Sequence, residues 1–382
     1  MSGQLVYLDH AASTPMRPEA IAAMLPFLDP QYANPNGSHR FARQARAALD
    51  DAREVVAAAV GCRPTEVVFT AGGTEADNTA VLGVVSRRGG TAVCSAVEHH
   101  AVLHAVTHVH GVVVGVDEAG RIDIDELVHA VADPAGAPVT LVSVMAVNNE
   151  VGTITDVAAA ADAVRRADSS VVIHTDAVQA ACWLDLRTVT PHVDLLSLSA
   201  HKFGGPKGVG ALVVRGAGTF DPLLIGGGQE REMRSGTQNV AGAVAMAEAL
   251  RLADVEREAE RRRLAPLRDR LVDGLLSALP DVRETVDRAH KMAGSAHVCI
   301  RDVENEALLF LLDESGVCAS AASACAAGAM EPSHVLAAMG VDRSWAAGAL
   351  RLTLGRTTTE ADVDRALQVI VSAVRRIRDH AA

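Results

Sequence analysis

The chain has 382 residues, of which 49% are hydrophobic and 21% charged. This excludes a peptide module or a disordered chain, and it exceeds what one core usually organises, so a large domain with a smaller partner is expected. Lys plus Arg at 35 against Asp plus Glu at 47 gives a net charge of −12 with no basic block, so direct nucleic-acid binding is not expected.

Aromatic residues make up only 3%. Ala, Val and Leu must therefore fill the interior, as suits helices packed closely on parallel strands. Six cysteines (Cys62, Cys94, Cys182, Cys299, Cys318 and Cys325) are scattered without C-x-x-C pairs. They read as reduced thiols of a cytoplasmic protein. The opening MSGQLVYLDHAASTP lacks the basic and apolar segments of a secretory leader. No window approaches the roughly 20 apolar residues of a membrane span.

In chain order, short β-branched runs alternate with Ala-rich helical stretches. The runs are EVVFT (66–70), TAVCSAV (91–97), VTLVSVM (139–145), VVIHTD (171–176), DLLSLSA (194–200) and GALVVRG (210–216). The alternation predicts an α/β fold, a mainly parallel sheet covered on both faces by helices, whose ligands collect at the carboxyl ends of the strands. From about Val240 a long helical stretch leads into a second, α+β region. There AHVCI (296–300) and ALRLTLG (349–355) read as strands, 306–313 as a helix, and the chain closes on an amphipathic helix.

Several chemically suggestive residues directly follow these runs. TAGGTEADN (70–78) opens a helix, and Gly73, Thr74 and its free N–H groups suit a phosphate, although a capped glycine turn explains them equally well. His99 stands at a strand end, while His100, His104 and His108 recur at helical spacing without an acid or Cys at ligand spacing, so no metal is expected. Asn149, in VNNEVGTI, offers a donor and an acceptor. Asp176 ends an apolar strand, where an acid is costly unless a cation or donor meets it, and Gln179 follows three residues on. Lys202, in SLSAHKFGGPKG with Ser199 and His201, sits after a buried run that can desolvate its amine and favour the neutral nucleophile of Schiff-base chemistry. Cys325 lies among Ser, Ala and Gly in SACAAGAMEPSH, a setting for a reactive thiol. Cys318 reads as structural.

Taken together the chain resembles the cysteine desulfurases of the NifS/IscS type, in the class V aminotransferase family of pyridoxal-phosphate enzymes of fold type I. The resemblance runs from LDHAASTP (8–15) to LGRTTTEADVD (354–364) through ANPNGSHRFA, TAGGTEADN, EHHAVL, NNEVGTI, HTDAVQ, SLSAHKFGGPKGVGAL, GGGQEREMRSGT, SACAAGAMEPSHVL and LRLTLGRTT, in the family's order. It implies a large domain over 13–250 with a mainly parallel seven-stranded sheet, and a small domain from 1–12 and 251–382 carrying the Cys loop. Lys202 matches the lysine that joins pyridoxal 5′-phosphate, Asp176 the acid facing its ring nitrogen, and His99 the stacked imidazole. Gln179 and Asn149 match groups near the phenolic oxygen. Gly73, Thr74, Ser199 and His201 match the phosphate cradle, and Thr237 a phosphate contact from the other subunit, which implies a homodimer. Asn34 and Arg351 match the groups holding the substrate carboxylate.

The activity so implied removes sulfur from L-cysteine, giving L-alanine and a Cys325 persulfide for a sulfur-acceptor protein. The stretch Ser320 to Cys325 (SAASAC) lacks a glycine common in the family, which predicts a stiffer loop. The chain closes on RIRDHAA, short of the tail with which several housekeeping members dock a scaffold protein. The acceptor therefore stays open among iron–sulfur assembly, tRNA thiolation, other cofactor sulfuration and DNA phosphorothioation. The rival readings are a selenocysteine lyase or class V aminotransferase on the same scaffold, and a non-catalytic platform for a sulfur carrier.

Overall fold

The computed structural model describes residues 5–134, 136–216, 219–321 and 333–381. Its strands, in chain order, are β1 (Val6–Tyr7), β2 (Val67–Thr70), β3 (Thr91–Ser95), β4 (Val112–Val114), β5 (Val139–Ser143), β6 (Val172–Asp176), β7 (Leu195–Ser199), β8 (Gly210–Val214), β9 (Val282–Glu284), β10 (Ser295–Ile300), β11 (Val317–Cys318) and β12 (Ala349–Thr353).

Seven of them form one sheet in the order β2-β8-β7-β6-β5-β3-β4. From β4 to β7 neighbouring strands are parallel, and β8 alone runs antiparallel to both of its neighbours. The carboxyl ends of β2, β3, β5, β6 and β7 therefore meet along one edge, where nearly all the candidate residues sit. Alternate side chains enter separate cores: Val68, Cys94 and Leu195 pack with Ala76, Ala80 and Val84 of the helix Gly73–Arg88. Val67, Phe69, Val93, Leu196 and Leu198 join the other core, with Leu49 and Val56 of the helix Arg40–Val60. Burial on both faces explains why these strands read as continuous apolar runs.

The six expected runs all lie on strands of this sheet. The seventh, β4, was not anticipated: three valines directly behind the helix His100–His108 give too short a signal to separate from it. A helix of 39 residues, Val240–Ala278, is capped by Asn239 Oδ1 accepting from Gly242 N. Pro266 within it removes one N–H from the ladder. Beyond lie the antiparallel sheet β12-β10-β9 and the helices Asn305–Glu314 and Glu360–Ala381. The amino-terminal strand joins this region: β1 pairs in parallel with β11, and Thr353 N donates to Leu8 O at 2.7 Å.

Candidate active site

At the sheet's edge, β2 is followed by Gly72 and Gly73, and β7 ends in Ser199 close by. A Cβ on Gly73 would stand 2.7 Å from Val178 Cγ2, and one on Gly210 would meet the Gly72 backbone at 2.7 Å. Glycine is thus required for this close approach. Ala12, Ser13, Thr74, Ser199, His201 and Lys207 line the cleft around the start of the helix Gly73–Arg88, a concavity of N–H and O–H donors suited to a phosphate. Burial, with the charges of Lys202 and Lys207 next, lowers the His201 pKa to about 4, so its ring is neutral. Lys207 was missed in the sequence, where it reads as one more surface lysine five residues beyond Lys202.

Lys202 closes the short helix after β7. Its Nζ donates to Ala11 O at 2.5 Å and Ala12 O at 3.0 Å. Gln179 Nε2 donates to the same Ala11 carbonyl at 2.7 Å. Burial, then the Arg351 charge, pulls the Lys202 pKa down to about 8, although Asp176 and Asp9 oppose the shift. Asp176, at the end of β6, is buried and accepts from Val178 N at 2.8 Å. Burial raises its pKa, while His99 and Lys202 hold the carboxylate form.

His99 is the N-cap of the helix His100–His108, and its Nδ1 accepts from Ala101 N at 3.1 Å. That bond puts the neutral ring's proton on Nε2. The ring is open to the cleft on one side, yet desolvation on the other lowers its pKa, with Asp176 opposing and Lys202 reinforcing the shift. Lys202, Asp176 and His99 thus stand close enough to act on one another electrostatically.

Arg351 on β12 is 5% exposed. Its Nη1 donates to Asn149 O at 2.9 Å and its Nη2 to Asp9 Oδ1 at 2.7 Å, while its buried Nε has no partner. A planar guanidinium held on two sides with one N–H free suits a carboxylate. Asp9 was not singled out in the sequence, because its partner lies 342 residues away.

The remaining expectations fall elsewhere. Asn34 is exposed, its Oδ1 accepting from Asn36 N in its own turn. Thr237 is exposed on the segment after the short helix Gln229–Glu232. Cys325 lies outside the described residues, and the five described cysteines are all unpaired. Among the described residues no group of His, Cys, Asp and Glu is placed to hold a metal, and no helix is long and apolar enough to cross a membrane. The rings of His100 and His104 lie 4.9 Å apart, and those of His100 and His334 lie 4.4 Å apart, in tilted contact.

The chain is 46% identical to an "IscS-like cysteine desulfurase" of Mycobacterium tuberculosis over 98% of its own length and 97% of that protein's. It superposes with a TM-score of 0.90 on a solved "NIFS-LIKE PROTEIN", at 33% identity, covering 98% of this chain and all of that one. It also superposes on "SspA in complex with cysteine", with a TM-score of 0.78 and 29% identity over 91% of this chain and 98% of the other. The mixed α/β architecture is thus that of the NifS-like, pyridoxal-phosphate fold type I enzymes. The family description "Aminotransferase class-V" matches residues 6–366, and on these findings the chain belongs to the class V aminotransferase family.

Proposed function

We propose that this protein is a cysteine desulfurase that takes sulfur from L-cysteine, releases L-alanine and carries the sulfur on Cys325 as a persulfide. The observation that carries the reading is the convergence of a desolvated Lys202, a buried Asp176 and an open His99 beside a glycine-lined phosphate cleft. These residues fit pyridoxal 5′-phosphate: Gly73, Thr74, Ser199 and His201 for its phosphate, Asp176 for its ring nitrogen, Gln179 and Asn149 near its phenolic oxygen, and Lys202 for its aldehyde. When bound, that cofactor supplies an electron sink for charge at the substrate Cα.

The chain's own residues do the rest. Arg351, steadied by Asp9, grips the substrate carboxylate, with Asn34 as a second contact. Lys202 removes the Cα proton in its neutral form, which its lowered pKa makes accessible. His99, with its proton on Nε2, moves a proton at the substrate sulfur. The Cys325 thiolate forms the S–S bond as the substrate C–S bond breaks. That bond's electron pair stays with Cβ, which takes up a proton, and Lys202 returns a proton to Cα, giving alanine.

The domain division at residues 13–250 against 1–12 and 251–382, a cytoplasmic location and a homodimer sharing Thr237 across its interface belong to the same reading, with a sulfur-acceptor protein as partner. Incubation with cysteine, followed by mass spectrometry of the Cys325 peptide and assay of alanine, tests it. One added sulfur and stoichiometric alanine are expected. A pyridoxamine product without alanine would overturn the reading in favour of an aminotransferase.

A further inference from the structure

Behind Asp176 the interior holds two more acids. Asp77, on the helix Gly73–Arg88, is 1% exposed, and Glu98, on the turn after β3, is fully buried. Asp77 Oδ1 and Glu98 Oε2 each lack a hydrogen-bond partner. Glu98 Oε1 accepts from Met145 N at 2.5 Å, and the nearby Ser197 hydroxyl only partly offsets the burial of Asp77. The His174 Nε2 stands 3.7 Å from Asp77 Oδ1, beyond hydrogen-bond reach. His174 is itself occupied by Ser143 Oγ at 2.8 Å and Ser197 Oγ at 2.9 Å. Burial drops its pKa to about 3, so it brings no positive charge.

The basic groups facing this cluster, His99 and Lys202, both act on Asp176. Asp77 feels Asp176 and Glu98, and Glu98 feels Asp176 with the Cys94 thiol beside it. An ionised carboxylate without a counter-charge is too costly in such a place, and neighbouring carboxylates raise one another's affinity for protons. Burial and mutual repulsion push both acids well up from the ordinary carboxylate range.

We propose that Asp77, Glu98 and Asp176 share a single negative charge, resting on Asp176, while Asp77 and Glu98 remain neutral acids that position it. In Glu98 the partnerless Oε2 is the site of the retained proton, since Oε1 already accepts from Met145 N. Asp77 and Glu98 are positioning residues: they act on the reaction only through Asp176. The inference deepens the desulfurase reading by fixing the charge opposite the ring nitrogen, but the protonation states themselves are measurable without turnover.

Infrared spectra of the full-length protein, with and without cofactor, test it. The wild type is expected to show the carbonyl stretch of two protonated, buried carboxylic acids at pH 7, shifted in heavy water, with Asp77→Asn removing one and Glu98→Gln the other. Because each replacement is neutral for neutral, the pH midpoint of the bound cofactor's visible band should stay in place and cysteine turnover should stay within about threefold of wild type. Glu98→Ala, which removes the packing and the bond to Met145 N, should lose at least about tenfold, with Gln as the rescue. A wild-type spectrum with no protonated-acid band overturns the proposal whether or not the variants fold. So does a Glu98→Gln variant whose visible midpoint moves by about a unit, since that would reveal a lost charge. Wild-type protein that binds no cofactor or leaves cysteine intact would sink the functional reading, and the infrared bands would still report on the acids.

Discussion

Lys202 combines two demands, a donor bond to the Ala11 carbonyl and a pKa of about 8. At pH 7 about a tenth of such amines are neutral, against fewer than about one in a thousand for an ordinary lysine. Capture of pyridoxal phosphate by the cofactor-free protein, followed by absorbance, is expected to rise about tenfold per pH unit below pH 8 and to level off above it; a rate still climbing at pH 10 would contradict the assignment. Lys202→Ala should remove both colour and turnover, whereas Cys325→Ser should keep the colour and lose persulfide. Asp9→Ala frees Arg351 from one of its two anchors. The expected result is a KM for cysteine about tenfold higher with kcat within about threefold, read from steady-state kinetics. Lys202, Asp176 and His99 were legible in sequence because each follows an apolar run. Asp77 and Glu98 were not, since ADN and EHH look like ordinary polar helix starts until the fold closes over them.

The segment containing GGGQEREMRSGT shows how an element is held where local preference opposes it. Glu230, Arg231 and Glu232 adopt φ values of 47°, 58° and 67°, each costing about 1 kcal/mol or more for a residue other than glycine. The compensation is buried. Glu230 accepts from Arg53 Nη1 at 2.7 Å and Nη2 at 2.9 Å, from Phe69 N at 3.1 Å and from Gln238 Nε2 at 2.7 Å. The Arg53 guanidinium lowers the Glu230 pKa despite burial. Glu230→Ala leaves Arg53 buried and unpaired, and a loss of about 3–5 kcal/mol in urea denaturation is expected. Residue types alone predict neither the backbone nor the pair, because 177 positions separate the partners. The strands of the large sheet, by contrast, were readable because burial on both faces writes itself into consecutive residues.

At the scale of the molecule, Thr237 bears on assembly. It is exposed in this chain, although the family resemblance gives it a phosphate contact. A partner subunit reconciles the two: sedimentation should give a particle of twice 39.8 kDa, and Thr237→Ala should weaken cofactor retention without lowering the thermal midpoint of the fold. Sedimentation as a single chain with full cofactor retention would refute the shared site. The α/β class and the second region were visible in composition and periodicity. The course of the amino-terminal strand into that second region was implied by the family resemblance alone, which groups 1–12 with 251–382, since strand pairing between distant segments leaves no local trace.

The threading of β1 against β11, with Asp9 clasping Arg351 and the Ala11 carbonyl receiving Lys202, sets an order of events during biosynthesis. A nascent polypeptide on the ribosome can fold its large sheet while its first dozen residues still wait for strands near the other end. The contacts of Asp9 with Arg351 and of β1 with β11 therefore form only after translation has passed residue 351.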